Sequence, residues 1–151
     1  MIPVDQLVLG DPTRGDCLRA CIASLLELPA EAVPNFMEGL PVEWCPKAPL
    51  AWGQAFRAAT NAWLEPRGLA YFEIGFAEAL PDWAWEVIPP AGYWIGLGEI
   101  VAGSGDLHNV VMRGRGLAHD PSPGRRGLER FVGIGLLVPL DPVYWRKESE
   151  K

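Results

Sequence analysis

Histidine is nearly absent from this 151-residue chain, which has only His108 and His119, so imidazole chemistry has two candidates. Cysteine is scarce too: there are three, an odd number, with Cys17 and Cys21 one helical turn apart. That count does not build a disulfide framework and suits a reducing compartment. No apolar run approaches the ~20 residues of a membrane-spanning helix. The start, Met1-Ile2-Pro3-Val4-Asp5, lacks the basic region and apolar stretch of a signal peptide. The chain is therefore expected in the cytoplasm, without a membrane partner. Positive charge is the minority sign, 13 Lys and Arg against 19 Asp and Glu. The net charge of −6 argues against sequence-independent contact with nucleic-acid phosphates. Gly96-Leu97-Gly98 and Gly103-Ser104-Gly105 are too short for a dinucleotide loop and lack its strand-before, helix-after setting. No cofactor is expected.

Hydrophobic residues, by contrast, make up 49% of the chain, with seven Trp and 15 Pro, which implies an aromatic core crossed by rigid turns. Without repeats, low-complexity blocks or a linker, residues 1–151 read as a single domain with a charged tail from about Arg146. Asp16 is placed as an N-cap and Cys17 as the first residue of a helix whose Leu18, Ile22, Leu25 and Leu26 face the core. Cys17, Ala20, Cys21 and Ser24 form a small-residue stripe beside them, and Pro29 ends the helix. Residues 35–49 read as a Pro-rich loop. A second helix is expected from Leu50 to Leu64, with Trp52, Phe56, Ala59 and Trp63 on one stripe. A strand over Leu69 to Phe76 follows, then a short helical turn and a Trp-rich loop. Short β-type runs come last: Tyr93 to Leu97, His108 to Met112, Gly116 to His119 and Val132 to Val138. Helices first and an antiparallel sheet second make an α+β domain.

A thiol at the first turn of a helix meets unpaired N–H groups and the positive dipole end, which favour the thiolate. A cysteine nucleophile also needs a base and a group that orients the base. His108 opens a strand, and a hairpin returns the chain to His119-Asp120-Pro121. That pairing brings Asp120 back beside His108. His119 and Asp120 are successive, so they point to opposite faces; His119 is read as surface or supporting. Asn109, next to His108, is expected to point away from it. Each residue also has a plainer reading: Cys17 as a small buried hydrophobe, His108 as a strand histidine, Asp120 as a turn-former before Pro121. Zinc is not expected, because Cys45 has no second Cys or His nearby and the two histidines are too far apart in sequence.

The set Asp16-Cys17, His108 to Val111, and Asp120-Pro121 with Gly124 resembles the papain-like cysteine peptidases. More narrowly, it is similar to the double-glycine-leader peptidases that process bacteriocin precursors, and to small stand-alone papain-like proteins of bacteria and phages. The resemblance implies N-terminal helices carrying the Cys, packed on a C-terminal antiparallel sheet carrying His and Asp. It implies Cys17 as nucleophile, His108 as general base and later acid, and Asp120 as the orienting carboxylate. It also implies a Gln shortly before the Cys as oxyanion donor. At that spacing this chain has Asp11, whose charge would repel an oxyanion; Gln6, further upstream, is the remaining candidate. The expected function is cysteine-dependent hydrolysis of an amide, peptide or isopeptide bond in a peptide, protein or other amide-bearing substrate. The alternatives are acyl or amide transfer on the same triad, and a non-catalytic papain-like binding or inhibitor module.

Overall fold

The computed structural model describes residues 1–9, 15–40 and 49–141. Asp11, Cys45 and the charged tail lie outside them, as does the proline-rich stretch 41–48. Among the described residues three α-helices, α1 (Cys17–Leu26), α2 (Pro49–Leu64) and α3 (Asp82–Val87), accompany five strands. The strands are β1 (Leu69–Gly75), β2 (Tyr93–Glu99), β3 (Leu107–Arg113), β4 (Gly116–His119) and β5 (Arg130–Pro139). They form one antiparallel sheet in the order β1-β5-β2-β3-β4. The expected α+β architecture is therefore present.

Alternation along the strands sorts side chains onto two faces. Val111, Ile95 and Tyr71 join Leu18, Ile22, Phe36 and Leu64 in a core beneath α1 and α2. Val110, Met112, Trp94 and Ile134 join Leu80 and Ala84 of α3 in a second core on the other side. The helical stripes predict this: Leu18 and Ile22 are fully or almost fully buried, and Phe56 and Trp63 pack on the first core. Trp52 instead stacks on Phe56, with ring centroids 5.2 Å apart. The stop of α1 comes sooner than Pro29. Glu27 already leaves the helix in a left-handed conformation, φ 57°, and its N–H caps Ala23 and Ser24 carbonyls.

Two glycines set how closely the strands approach. A Cβ on Gly135 would stand 2.5 Å from the Tyr71 hydroxyl, so the bare backbone makes room for that ring. A Cβ on Gly98 would overlap the Arg130 carbonyl, at the point where the β2–β5 register shifts. Gly98 also pairs with His108 across β2 and β3, which places this tight contact beside the start of the histidine strand.

Candidate active site

The N-terminal segment ties α1 to the turn after β4. Val4 N–H donates to Ser24 Oγ (2.9 Å), and Gln6 N–H donates to the Pro121 carbonyl (3.0 Å). Asp16 holds the same segment: Leu7 N–H and Val8 N–H donate to its Oδ2 and Oδ1 at 3.1 and 3.0 Å. The N-cap expectation for Asp16 thus fails in its mechanism. The residue precedes the helix, but its side chain makes no capping bond and reaches back to a preceding segment instead. Arg19 Nη1, 3.3 Å from Oδ2, accompanies the buried carboxylate. Asp16→Ala removes the acceptor for two amides and leaves Arg19 without it. We expect a loss of about 2–4 kcal/mol, read by denaturant unfolding, with faster hydrogen exchange at Leu7 and Val8. Unchanged exchange at both amides would contradict this anchoring role.

Cys17 opens α1 as the sequence predicts and is half-buried. Its Sγ–H donates to Asn109 Oδ1 at 3.5 Å. Burial pushes the thiol up to about 11; hydrogen bonds from the backbones of Asn109, Leu18 and Cys17 itself pull the other way, and the charge of Asp16 adds to the rise. The expected thiolate is therefore corrected to a resting thiol. The magnitudes explain it: a helix terminus contributes about 0.3–1 kcal/mol, less than one pKa unit, whereas burial can move a group by up to 3–5 units. Cys21, one turn on, is fully buried and its thiol is raised well above the ordinary value, first by burial. It is a core residue, as expected.

The hairpin brings His108 and Asp120 together. His108 Nε2 lies 2.7 Å from Asp120 Oδ1, and both side chains are buried. Ser122 N–H donates to Oδ1 and Gly127 N–H to Oδ2, each at 2.8 Å. Burial raises the Asp120 pKa, but the hydrogen bonds from His108, Ser122 and Gly127 outweigh it and leave the carboxyl below its ordinary value. An ionised carboxylate only accepts, so Nε2 carries a proton, and Nδ1 is the ring nitrogen left to act as acceptor. His108 makes no hydrogen bond to Cys17; the sulfur meets the next residue, Asn109.

Asn109 is thus the residue that sequence reasoning missed. It was expected to point away because it alternates with His108, and the alternation holds: Val111, two residues on, lies in the core beneath α1. The error lay in assuming that α1 faces the His108 side. The nearby polarity was the available signal, since Asn109 is the one polar residue between His108 and the apolar Val110-Val111-Met112.

Of the two readings of His119, the surface one is overturned, because the residue is buried. Its Nε2–H donates to the Val4 carbonyl at 2.9 Å, with Asp5 Oδ1 at 3.5 Å. It fastens the N-terminal segment. Gln6 is brought between the helix start and the Asp120 turn, but its Nε2 donates to the Val8 carbonyl (3.0 Å), and its Oε1 is buried without a partner. The Gly103-Ser104-Gly105 stretch, which leads into the histidine strand, is pinned. Gly103 and Gly105 N–H donate to the buried Glu99 carboxylate at 2.7 and 2.9 Å, and Arg130 Nε donates to it at 2.8 Å. These bonds hold the Glu99 carboxyl below its usual range, the Gly103 amide foremost.

Among the described residues no group of three or more His, Cys, Asp or Glu is placed to hold a metal ion, and no helix is long and apolar enough to cross a membrane. Compared with protein-family models, with curated proteins and with solved structures, the chain matches none.

Proposed function

We propose that the chain is a cysteine-dependent hydrolase of amide bonds that works through an acyl-enzyme on Cys17. The observation that carries the reading is the buried His108–Asp120 pair, held at 2.7 Å by an ionised carboxylate with two further backbone donors. A strand histidine kept only for packing has no need of a carboxylate that is itself fixed by Ser122 and Gly127. In the proposed reaction the His108 ring, which makes no hydrogen bond to Cys17 at rest, has to swing to the sulfur; Nδ1 then takes the thiol proton as sulfur attacks the acyl carbon and delivers it to the leaving amine. Asp120 keeps the proton on Nε2 and stabilises the imidazolium. Because the resting group is a thiol, proton removal accompanies attack. The backbone amides of Asn109, Leu18 and Cys17 already act on the sulfur, and those of the first helical turn are this reading's oxyanion donors. Gln6 would have to release Val8 to join them. Water resolves the acyl-enzyme in hydrolysis, and an amine resolves it in transfer. Substrates on this reading are peptides, proteins or other amide-bearing molecules, and the setting is cytoplasmic.

A second reading, a papain-like module that binds and does not cleave, is favoured by one observation: the sulfur bonds to Asn109 and not to His108. A peptidyl electrophile such as a vinyl sulfone separates the two. For the enzyme, mass spectrometry should find Cys17 modified in preference to Cys21 and Cys45, and the adduct should disappear in His108→Ala. Equal labelling of all three thiols, or none, leaves the binding module.

A further inference from the structure

Among the described residues, Asn109 is the only side chain hydrogen-bonded to the Cys17 sulfur, and half of its amide is unused. Oδ1 accepts from Sγ–H at 3.5 Å, whereas Nδ2 of the same carboxamide is buried and has no partner. The residue is 8% exposed, so an NH2 group has been taken out of water with nothing to replace it. A leucine of similar volume would fill the space without that penalty. Packing therefore does not account for the carboxamide.

We propose that Asn109 is a catalytic residue that changes ends with the protonation of Cys17: Oδ1 holds the resting thiol, and Nδ2 donates to the sulfur once the proton has left. The proposal rests on the cysteine-hydrolase reading above. The two ends of an amide are opposite in hydrogen-bonding sense and nearly equal in shape, so a half-turn about Cβ–Cγ exchanges them without repacking. In the step itself the S–H bond breaks, its electron pair stays on sulfur, and the proton forms the Nδ1–H bond of His108. A carbonyl end would then face negative charge, while the NH2 end makes a charge-assisted bond. The unpartnered Nδ2 is the group held in reserve for that state. The other ionisable groups acting on this cluster are Asp16 at the helix start, Cys21 one turn on, Tyr71 on β1, and the His108–Asp120 pair; substitutions at 109 leave all of them in the chain.

The test is the rate at which iodoacetamide alkylates Cys17 in the full chain at pH 8, followed by mass spectrometry. Iodoacetamide consumes the thiolate, so the rate reports its stabilisation without needing a substrate. Asn109→Leu should slow alkylation roughly tenfold while the thermal midpoint stays equal or rises, because a buried unpartnered group has been removed. Asn109→Asp should be slower still, since a carboxylate accepts from the thiol but repels the thiolate. Asn109→Ser, whose hydroxyl both accepts and donates, should stay nearer to the wild-type rate. Alkylation of the Leu variant at the wild-type rate overturns the proposal; if that variant does not fold, a Ser variant slower than the Asp variant overturns it. The expected order of variants together with no acylation of Cys17 by any ester or amide would keep the end-exchange of Asn109 at the thiolate and remove the hydrolase reading, and with it the catalytic role of Asn109. The reverse pattern removes this inference alone.

Discussion

Replacing His108 by alanine is expected to slow acylation of Cys17 by an activated ester or anilide by about 10²–10⁴-fold. The size follows from the state of the thiol. With its pKa pushed up to about 11, only about one molecule in ten thousand carries a thiolate at pH 7. A nucleophile so rarely ionised depends on a base that removes the proton during attack. His108 is the base this reading assigns, since Nε2 is committed to Asp120 and Nδ1 is left to accept once the ring reaches the sulfur. His108→Ala leaves Asp120 its bonds from Ser122 and Gly127, so the turn keeps two of its three anchors. Rapid-mixing measurement of the acyl-enzyme burst checks this directly. A burst of wild-type size and rate in the variant would mean that His108 is structural. Small nucleophilic imidazole added to the variant should restore part of the lost rate, which a folding defect would not allow.

Replacing Asp120 by alanine should be the most destabilising single change in the site, by about 3–5 kcal/mol. The carboxylate is fully buried and is the common acceptor for His108, Ser122 and Gly127. Removing it leaves three donors without a partner in one place, His108 and Gly127 buried and Ser122 half-buried. Against a whole-domain stability of about 5–15 kcal/mol, that loss is large. At about 2–4 °C per kcal/mol for a chain of this size, the thermal midpoint should fall by roughly 6–20 °C. Asp120→Asn should cost less, because one oxygen still accepts, but its NH2 faces a donor. The pH dependence carries a sign. The folded carboxyl titrates below its ordinary value, so its contribution is complete above the unfolded pKa of ~3.9. It is lost as pH falls through the lower, folded value. Wild-type stability should therefore decline below about pH 4 more steeply than that of Asp120→Asn. Parallel acid limbs in urea unfolding would contradict the assignment.

The elements themselves were largely legible. Glycine and proline punctuate this chain so often that β4, Gly116 to His119, follows from its flanking turns, and α2 differs from expectation by one residue at its start. The Asp120–His108 contact was legible for a local reason, since a hairpin fixes register over a dozen residues without any long-range assumption. The failures concern hydrogen bonds that no spacing rule announces, whether four residues apart, as in Gly103–Glu99, or more than a hundred, as in His119–Val4. Asp16 looks like a cap because caps are local, yet its partners are Leu7 and Val8, which no spacing rule connects to it. His119 looks like a strand end, and its partner is Val4. Gly103 and Gly105 look free, and Glu99 holds them through their amides, which sequence letters do not display. Asn109 belongs with these: alternation placed it correctly relative to His108, but not which face the helix would cover.

The strand order has a consequence for how the molecule is made. β5, the last strand in the chain, lies in the middle of the sheet, between β1 and β2. Until residues 130–139 have left the ribosome, β1 has no strand partner and β2 exposes one open edge, although some fifty residues already follow β1 and some thirty follow β2. The cysteine helix, the histidine strand and the β3–β4 hairpin can all assemble before that moment, since none of their pairings uses β5. Closure of the sheet is thus a late event with long loops, slow by topology, and the nascent chain carries two strand edges open to mispairing while it waits.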